Sequence, residues 1–81
     1  MATISATFTN NSGSSRKWVI LDIGRDPNAP PVLFDDYLDP GQATQALSLY
    51  SDIDGAKALY QRSDGAPTNV NVSDGDNVQM S

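Results

Sequence analysis

Turn-forming residues divide this chain into short segments, and that division is the strongest constraint on its fold. Asp, Asn, Gly, Pro and Ser together make up 36 of the 81 residues. All ten acidic residues are aspartates, and glutamate, a good helix former, is absent. Aspartate favours turns because its short side chain hydrogen-bonds to nearby backbone groups. The composition therefore predicts many short strands joined by turns, as in all-β proteins.

Residues 3–9 have the clearest strand pattern. Ile4, Ala6 and Phe8 alternate with threonine and serine, so the apolar side chains lie on one face and the polar ones on the other. This pattern predicts a strand with one buried and one solvated face. The polar residues 10–15 that follow include a glycine and predict a loop.

Residues 17–23 form a second predicted strand, which has apolar side chains on both faces. One face carries Val19, Leu21 and Ile23. We assign this face to the core, so that Trp18 and Ile20 on the other face point outward. Apolar residues on both faces are typical of a central strand or of a strand whose outer face meets another surface.

Residues 40–53 fit two interpretations. Asp39 as an N-cap, Pro40 in the first turn and Gln42 completing a capping box would begin a helix, and apolar residues recur after them at helical spacing. Against this, Leu47 and Leu49 alternate with polar neighbours as in a strand. We favour the strand, which would pair through the turn after it with the next apolar segment.

The C-terminal segment predicts a β-hairpin. Val70 and Val72 alternate with polar residues, Asp74-Gly75 is a hairpin turn signal, and Val78 and Met80 resume the alternation. With a three-residue loop, Val72 would lie opposite Val78, and Val70 opposite Met80.

These segments together predict one domain spanning residues 1–81. We expect an all-β fold: a small antiparallel β-sandwich or partly open barrel of six to seven short strands, immunoglobulin-like in general architecture. The predicted core consists of large apolar side chains drawn from all of these segments: Ile4, Phe8, Val19, Leu21, Ile23, Phe34, Leu38, Leu47, Leu49, Leu59, Val70, Val72 and Val78.

Composition excludes several classes of function. Cysteine and histidine are both absent, so disulfides, thiolate metal sites and histidine-based nucleophile systems are impossible. The formal net charge is −5 with no cluster of basic residues, so we expect no direct nucleic-acid binding. The longest apolar stretch, residues 18–21, is far below the roughly 20 residues needed to cross a membrane. The N-terminus lacks a signal-peptide pattern, and we expect a soluble protein, cytoplasmic or virion-associated, without a cofactor.

Paired carboxylates are the remaining candidates for catalysis. Asp35-Asp36 supplies two adjacent acids, but neighbouring residues on a strand point to opposite faces. A chain of this size also has little volume with which to enclose a cleft. We therefore expect no enzymatic activity and no catalytic residues.

Aspartates in turns raise the alternative of a ligand-binding β module. Starting at Asp52, a calcium-binding helical loop would need an oxygen ligand at position 56 and an acid at position 63, where the chain has Ala56 and Ser63. Aspartates from several loops could instead converge to bind calcium or a glycan: Asp52, Asp54, Asp64, Asp74 and Asp76. A glycan would also use the flat faces of the aromatic residues Trp18, Tyr37, Tyr50 and Tyr60.

The function we favour is a non-enzymatic protein-interaction module, such as an accessory, structural or inhibitor-type subunit. Its partner would be another protein or a second copy of the chain. The predicted interaction surface is Trp18 and Ile20, because tryptophan is strongly enriched at binding hot spots. A further alternative is an acidic inhibitor that mimics nucleic acid.

Overall fold

Seven β-strands form one open sheet in the computed structural model, which describes residues 2–81. The strands are β1 (Ala2–Asn10), β2 (Arg16–Asp22), β3 (Val32–Leu38), β4 (Leu47–Asp52), β5 (Gly55–Arg62), β6 (Thr68–Val72) and β7 (Asn77–Met80). The strand order is β3-β2-β5-β4-β1-β7, and β6 also pairs with β5. The described residues contain no helix. The all-β prediction of six to seven short strands in a small open architecture is confirmed.

The sheet divides into two arms where β4 leaves β5. The two strands pair only next to their turn, at Ser51 with Ala56 and at Asp52 with Gly55. Beyond this point β5 pairs with β2 and β6, while β4 pairs with β1. We call β3, β2, β5 and β6 the first arm and β4, β1 and β7 the second arm. Both arms contribute side chains to a single core cluster, so the core lies between them.

The two faces of β2 are the reverse of the sequence prediction. Trp18 and Ile20 are both fully buried in the core, whereas Val19, Leu21 and Ile23 lie on the other face and are half-buried. Both faces are apolar, so the alternation in β2 alone does not identify the buried one. The assembled fold decides it: on the core face Ile20 pairs with Tyr60 of β5, and the Trp18 and Tyr60 ring centres lie 5.9 Å apart.

The predicted core is correct for the second arm and wrong for part of the first. Five predicted members are buried: Phe8, Leu38, Leu47, Leu49 and Val72. Four more are partly buried and pack against the core: Ile4, Phe34, Val70 and Val78. Four are not core residues: Val19, Leu21, Ile23 and Leu59. The core instead contains six residues outside the prediction: Ala6, Trp18, Ile20, Ala56, Ala58 and Met80.

The ambiguous segment contains strand β4, as favoured, and its capping-box residues form a turn. The Gln42 backbone N–H donates to the Asp39 carbonyl at 2.9 Å, and the Asp39 N–H donates to Gln42 Oε1 at 2.8 Å. Between them, Gly41 has a φ of +79°, which is the left-handed conformation that a type II turn requires at its third residue. The side-chain contact expected at a helix start therefore closes a turn before a strand.

The predicted C-terminal hairpin is wrong. β6 pairs with β5, and β7 runs parallel to β1, which makes β1–β7 the one parallel pair among the described strands. The intervening turn is bonded to β1: the Ser5 N–H donates to Asp74 Oδ1 at 2.9 Å, and the Gly75 N–H donates to the Ser5 carbonyl at 2.7 Å. These hydrogen bonds hold the turn against β1. The chain therefore passes from the first arm to the second, and β6 and β7 do not pair with each other.

Candidate protein-binding face

The side chains of β2, β3 and β5 that point away from the core form a surface in which apolar residues alternate with Lys17, Asp35, Lys57 and Gln61. Strand register defines it, since residues directly opposite each other in an antiparallel pair share a face. Leu21 pairs with Leu59 of β5 and, across a bulge, with Val32 of β3. Lys17, on the same face of β2, pairs with Tyr37. We call this surface the outer face; its apolar members are Val19, Leu21, Ile23, Val32, Tyr37 and Leu59.

Two of these side chains are strongly exposed. Within residues 2–81 the exposed large hydrophobic side chains are Val32 at 58%, Tyr37 at 64% and Ile53 at 97%. Val32 and Tyr37 belong to the outer face, and Ile53 lies at the tip of the turn between β4 and β5. Scattered surface hydrophobics need no explanation, but contiguous ones frequently mark an interaction site.

An open groove lies at one end of the outer face. It has a volume of about 430 Å³ and is lined by Ile23, Gly24, Pro27, Asp52, Lys57, Leu59 and Asn69. The loop that follows β2 forms one wall, and the Gly24 N–H donates to the Lys57 carbonyl at 3.2 Å. A Cβ atom on Gly24 would lie 3.4 Å from the Lys57 nitrogen and from the Tyr50 carbonyl oxygen. Glycine therefore lets this wall approach β5 closely.

A buried carboxylate holds the same loop in place. Asp22 is fully buried and accepts hydrogen bonds from the Tyr50 N–H at 2.9 Å and the Arg25 N–H at 3.2 Å. Its Oδ2 also accepts from Arg25 Nε at 3.4 Å, and the Arg25 guanidinium lies 5.8 Å from the centre of the Tyr50 ring. Both carboxylate oxygens of Asp22 thus hold the groove wall in place, and the side chain is shielded from solvent.

Charge on the outer face is balanced, unlike the rest of the molecule. Lys17 forms an ion pair with Asp35 at 3.5 Å, and both lie on this face. Lys57 and Asp52 both line the groove. In the described part of the chain, Lys57 is the one basic side chain without a carboxylate within 4 Å. Because these two cations and two acids cancel, the net charge of −5 belongs to the remaining three basic and eight acidic residues.

Another cluster of charges joins β2 to the loop after β5. Asp64 lies 3.2 Å from Arg16 Nη1 and 2.6 Å from Arg62 Nε. Desolvation opposes ionisation of Asp64, but the hydrogen bond from Arg62 and the positive charges of Arg16 and Arg62 outweigh it and lower the pKa of Asp64. Both cations are engaged by this carboxylate, so the cluster joins two segments of the first arm.

The predicted interaction residues are not exposed. Trp18 and Ile20 both lie in the core at 0% exposure, so the prediction that they form the outward surface is wrong. The error follows from the reversed faces of β2. Sequence reasoning missed Val32, Tyr37 and Leu59 as surface residues. The sequence of β2 carries no local signal for its buried face, because both faces are apolar and the pairing with β3 and β5 assigns them.

The five turn aspartates do not form one site. Asp52 ends β4 and Asp54 lies in the turn before β5, whereas Asp64 follows the other end of β5, roughly 25 Å away along eight strand residues. Asp74 is bonded to β1, and Asp76 accepts from the Ser73 N–H. Residues 2–81 contain no group of three or more acidic side chains arranged to bind a metal. The expected convergence of these aspartates on calcium or a glycan is therefore not seen.

The other candidate chemical groups are also separated. Asp35 lies on the outer face with Lys17, while the adjacent Asp36 turns to accept the Tyr37 N–H at 2.8 Å. Of the four aromatic residues considered for glycan binding, Tyr37 is the exposed one, and Trp18 is in the core. These residues do not assemble a pair of facing carboxylates or an aromatic platform.

Comparisons with known proteins add no family assignment. No protein-family model matches the chain, and no significant similarity relates it to a curated protein or to a solved structure. Within residues 2–81 there is also no helix of the length and apolar character that crossing a membrane requires. The functional argument therefore rests on the geometry of the outer face.

Proposed function

We propose that this protein is a non-enzymatic protein-interaction module and that its contact surface is the outer face. The observation that carries the proposal is the exposure of Val32 and Tyr37 beside the half-buried Val19, Leu21 and Leu59. An apolar surface of this kind loses contact with water when a partner covers it, and that loss is the main driving force of association.

The second arm supplies an internal comparison. The outward side chains of β1 are threonine and serine throughout. Thr7 and Thr9 both accept hydrogen bonds from Asn77 of β7, at 2.7 and 2.9 Å. This is the polar surface expected of a sheet that faces water. The same chain thus carries one polar and one apolar outward surface, which favours a binding role for the apolar one.

Charge balance favours the same surface. Interface cores are depleted in charged residues, and the outer face combines apolar side chains with a few mutually neutralising charges. A basic ligand would instead be attracted to the acidic remainder of the molecule. An acidic mimic of nucleic acid would likewise use that remainder, where the aspartates are engaged in separate turns. The outer face is best suited to another largely neutral, apolar protein surface.

Affinity capture from the lysate of the native host tests this role. Three immobilised baits are compared: the parent, Leu21→Glu at the centre of the outer face, and Ser48→Glu on the exposed surface of β4. Both variants add one negative charge, so Ser48→Glu controls for net charge, and melting curves confirm that both are folded. We expect specific capture by the parent and the Ser48 variant and its loss with the Leu21 variant. Equal capture by all three, or no capture, would contradict the proposal.

A further inference from the structure

An isoleucine at the tip of a turn is the exposed feature that the outer face does not include. Ile53 is 97% exposed between Asp52 and Asp54. The turn itself is well ordered by local contacts: the Asp54 N–H donates to Asp52 Oδ1 at 2.8 Å, and Gly55 has a φ of +93°. Turn formation therefore does not require a large apolar side chain at this position, where polar residues are the rule.

The groove lies next to this protrusion. Asp52 begins the turn and also lines the groove, so the exposed Ile53 and the groove, which has a mixed polar and apolar lining, are neighbours on the same molecule. A surface that carries both a protrusion and an adjacent depression can be complementary to itself. In a two-fold arrangement, each contact between two copies occurs twice, with the roles exchanged.

We propose that a second copy of this chain docks at the groove end of the outer face and that Ile53 of each copy enters the groove of the other. This inference rests on the proposed function, because it names the partner of the same surface. The groove offers Ile23, Pro27 and Leu59 to an isoleucine side chain. Because Ile53 and the groove exchange roles across the two-fold axis, the contact lies at this end of each outer face.

Charge complementarity supports this occupant over an unrelated protein. The protruding Ile53 is followed by Asp54, and the groove contains Lys57; neither Asp54 nor Lys57 has an ion-pair partner among the described residues. Asp52 lines the groove together with Lys57 of its own copy. Insertion of Ile53 brings Asp54 of one copy to Lys57 of the other.

Sedimentation velocity at protein concentrations from about micromolar to millimolar tests the assembly. We expect a reversible monomer–dimer equilibrium for the parent chain. Ile53→Ser should raise the dissociation constant at least tenfold without changing the melting temperature of the monomer, because the side chain makes no packing contact within one copy. A parent that stays monomeric throughout, an unchanged dissociation constant for the variant, or continued growth beyond the dimer would overturn the proposal.

A charge exchange tests the pairing itself. Lys57→Asp and Asp54→Lys should each weaken the dimer at least tenfold, since each places like charges together twice. Mixing the two variants should restore association, because both contacts in a mixed dimer then join opposite charges. Failure of the mixture to associate better than either variant alone would exclude this pairing.

The second-copy inference and the proposed function can fail separately. If the parent is monomeric but lysate capture still depends on Leu21, the second-copy inference fails while the proposed function stands. If the parent is monomeric and lysate capture does not depend on Leu21, both proposals are rejected.

Discussion

Asp22 shows how one residue links the core to the candidate site. Its carboxylate is fully buried at the end of β2, and both of its oxygens are used to attach the loop after β2 to β4. A buried acid is costly unless it is paired and hydrogen-bonded, and Asp22 meets both conditions through Arg25 and two backbone N–H groups. The groove wall therefore depends on a polar contact made inside the molecule.

Asp22→Asn is expected to lower the free energy of unfolding by about 1–3 kcal/mol. The amide retains one acceptor oxygen but turns an NH₂ group towards donors, and it leaves Arg25 without its ion pair. Urea unfolding measures the loss, and hydrogen exchange of residues 23–31 should show faster exchange in the variant. Asp26→Asn is the matched control, since Asp26 is an exposed acid of the same loop that accepts only local N–H groups. Equal effects of the two substitutions would contradict the role of Asp22.

At the scale of single strands, alternation identifies the strand but not always its buried face. β1 was predictable because its polar and apolar side chains separate cleanly, and Ala6 and Phe8 are buried as that pattern indicates. β2 has apolar side chains on both faces, so its orientation depends on its pairing with β3 and with β5, a strand distant in the sequence. Pairing between distant strands cannot be inferred from a local sequence pattern. The reversed faces of β2 therefore also made the predicted interaction surface wrong.

The orientation of β2 is tested by two adjacent substitutions. Ile20→Ala should lower the free energy of unfolding by about 2–5 kcal/mol, because it opens a cavity in the core. Leu21→Ala removes a half-buried side chain from the outer face and should cost about 1 kcal/mol. Chemical denaturation of the two variants under identical conditions gives the comparison. A larger loss of unfolding free energy for Leu21→Ala than for Ile20→Ala would indicate that Leu21 faces the core, as the sequence predicted.

Pairings between strands were less predictable than the strands themselves. Asp74-Gly75 is a strong hairpin signal in the sequence, yet the turn joins two strands that do not pair. Its hydrogen bonds to Ser5 connect it to a segment near the other end of the chain. The local turn chemistry was recognised correctly, but the strand that the turn lies against is specified only by the assembled fold.

The charge cluster at the end of β5 predicts a pH dependence of stability. The pKa of Asp64 is lowered in the folded protein, so the unfolded chain binds a proton there more readily. The stabilisation by Asp64 is then complete above the unfolded pKa, about 3.9, and is lost as the pH falls through the lower folded value. Denaturation from pH 6 downward should show a shallower acid loss for Asp64→Asn than for the parent. Asp26→Asn, which removes an exposed loop aspartate with no basic partner within 4 Å, controls for the loss of one charge.

At the scale of the whole molecule, a small core and an apolar outward surface are connected. An 81-residue chain buries only about 60% of the surface exposed in its unfolded form, so its stability as a monomer is modest. Part of its apolar content lies on the outer face instead of in the core. Contact with a second copy at the groove end of that face would bury more apolar surface without lengthening the chain, and association would then contribute to stability.

The dimer is therefore expected to make thermal stability depend on concentration. A species that binds the folded state but not the unfolded chain raises the melting temperature by mass action, and here that species is the protein itself. Once the dimer predominates, each tenfold increase in concentration should raise the melting temperature by roughly 3 °C for a domain of this size. Ile53→Ser should melt at a lower temperature than the parent at each concentration where the parent is dimeric, because its monomer is intact but its association is weakened. Calorimetry over a hundredfold range of concentration compares the two, and a parent whose melting temperature does not change would show that the outer face contributes nothing to stability through self-association.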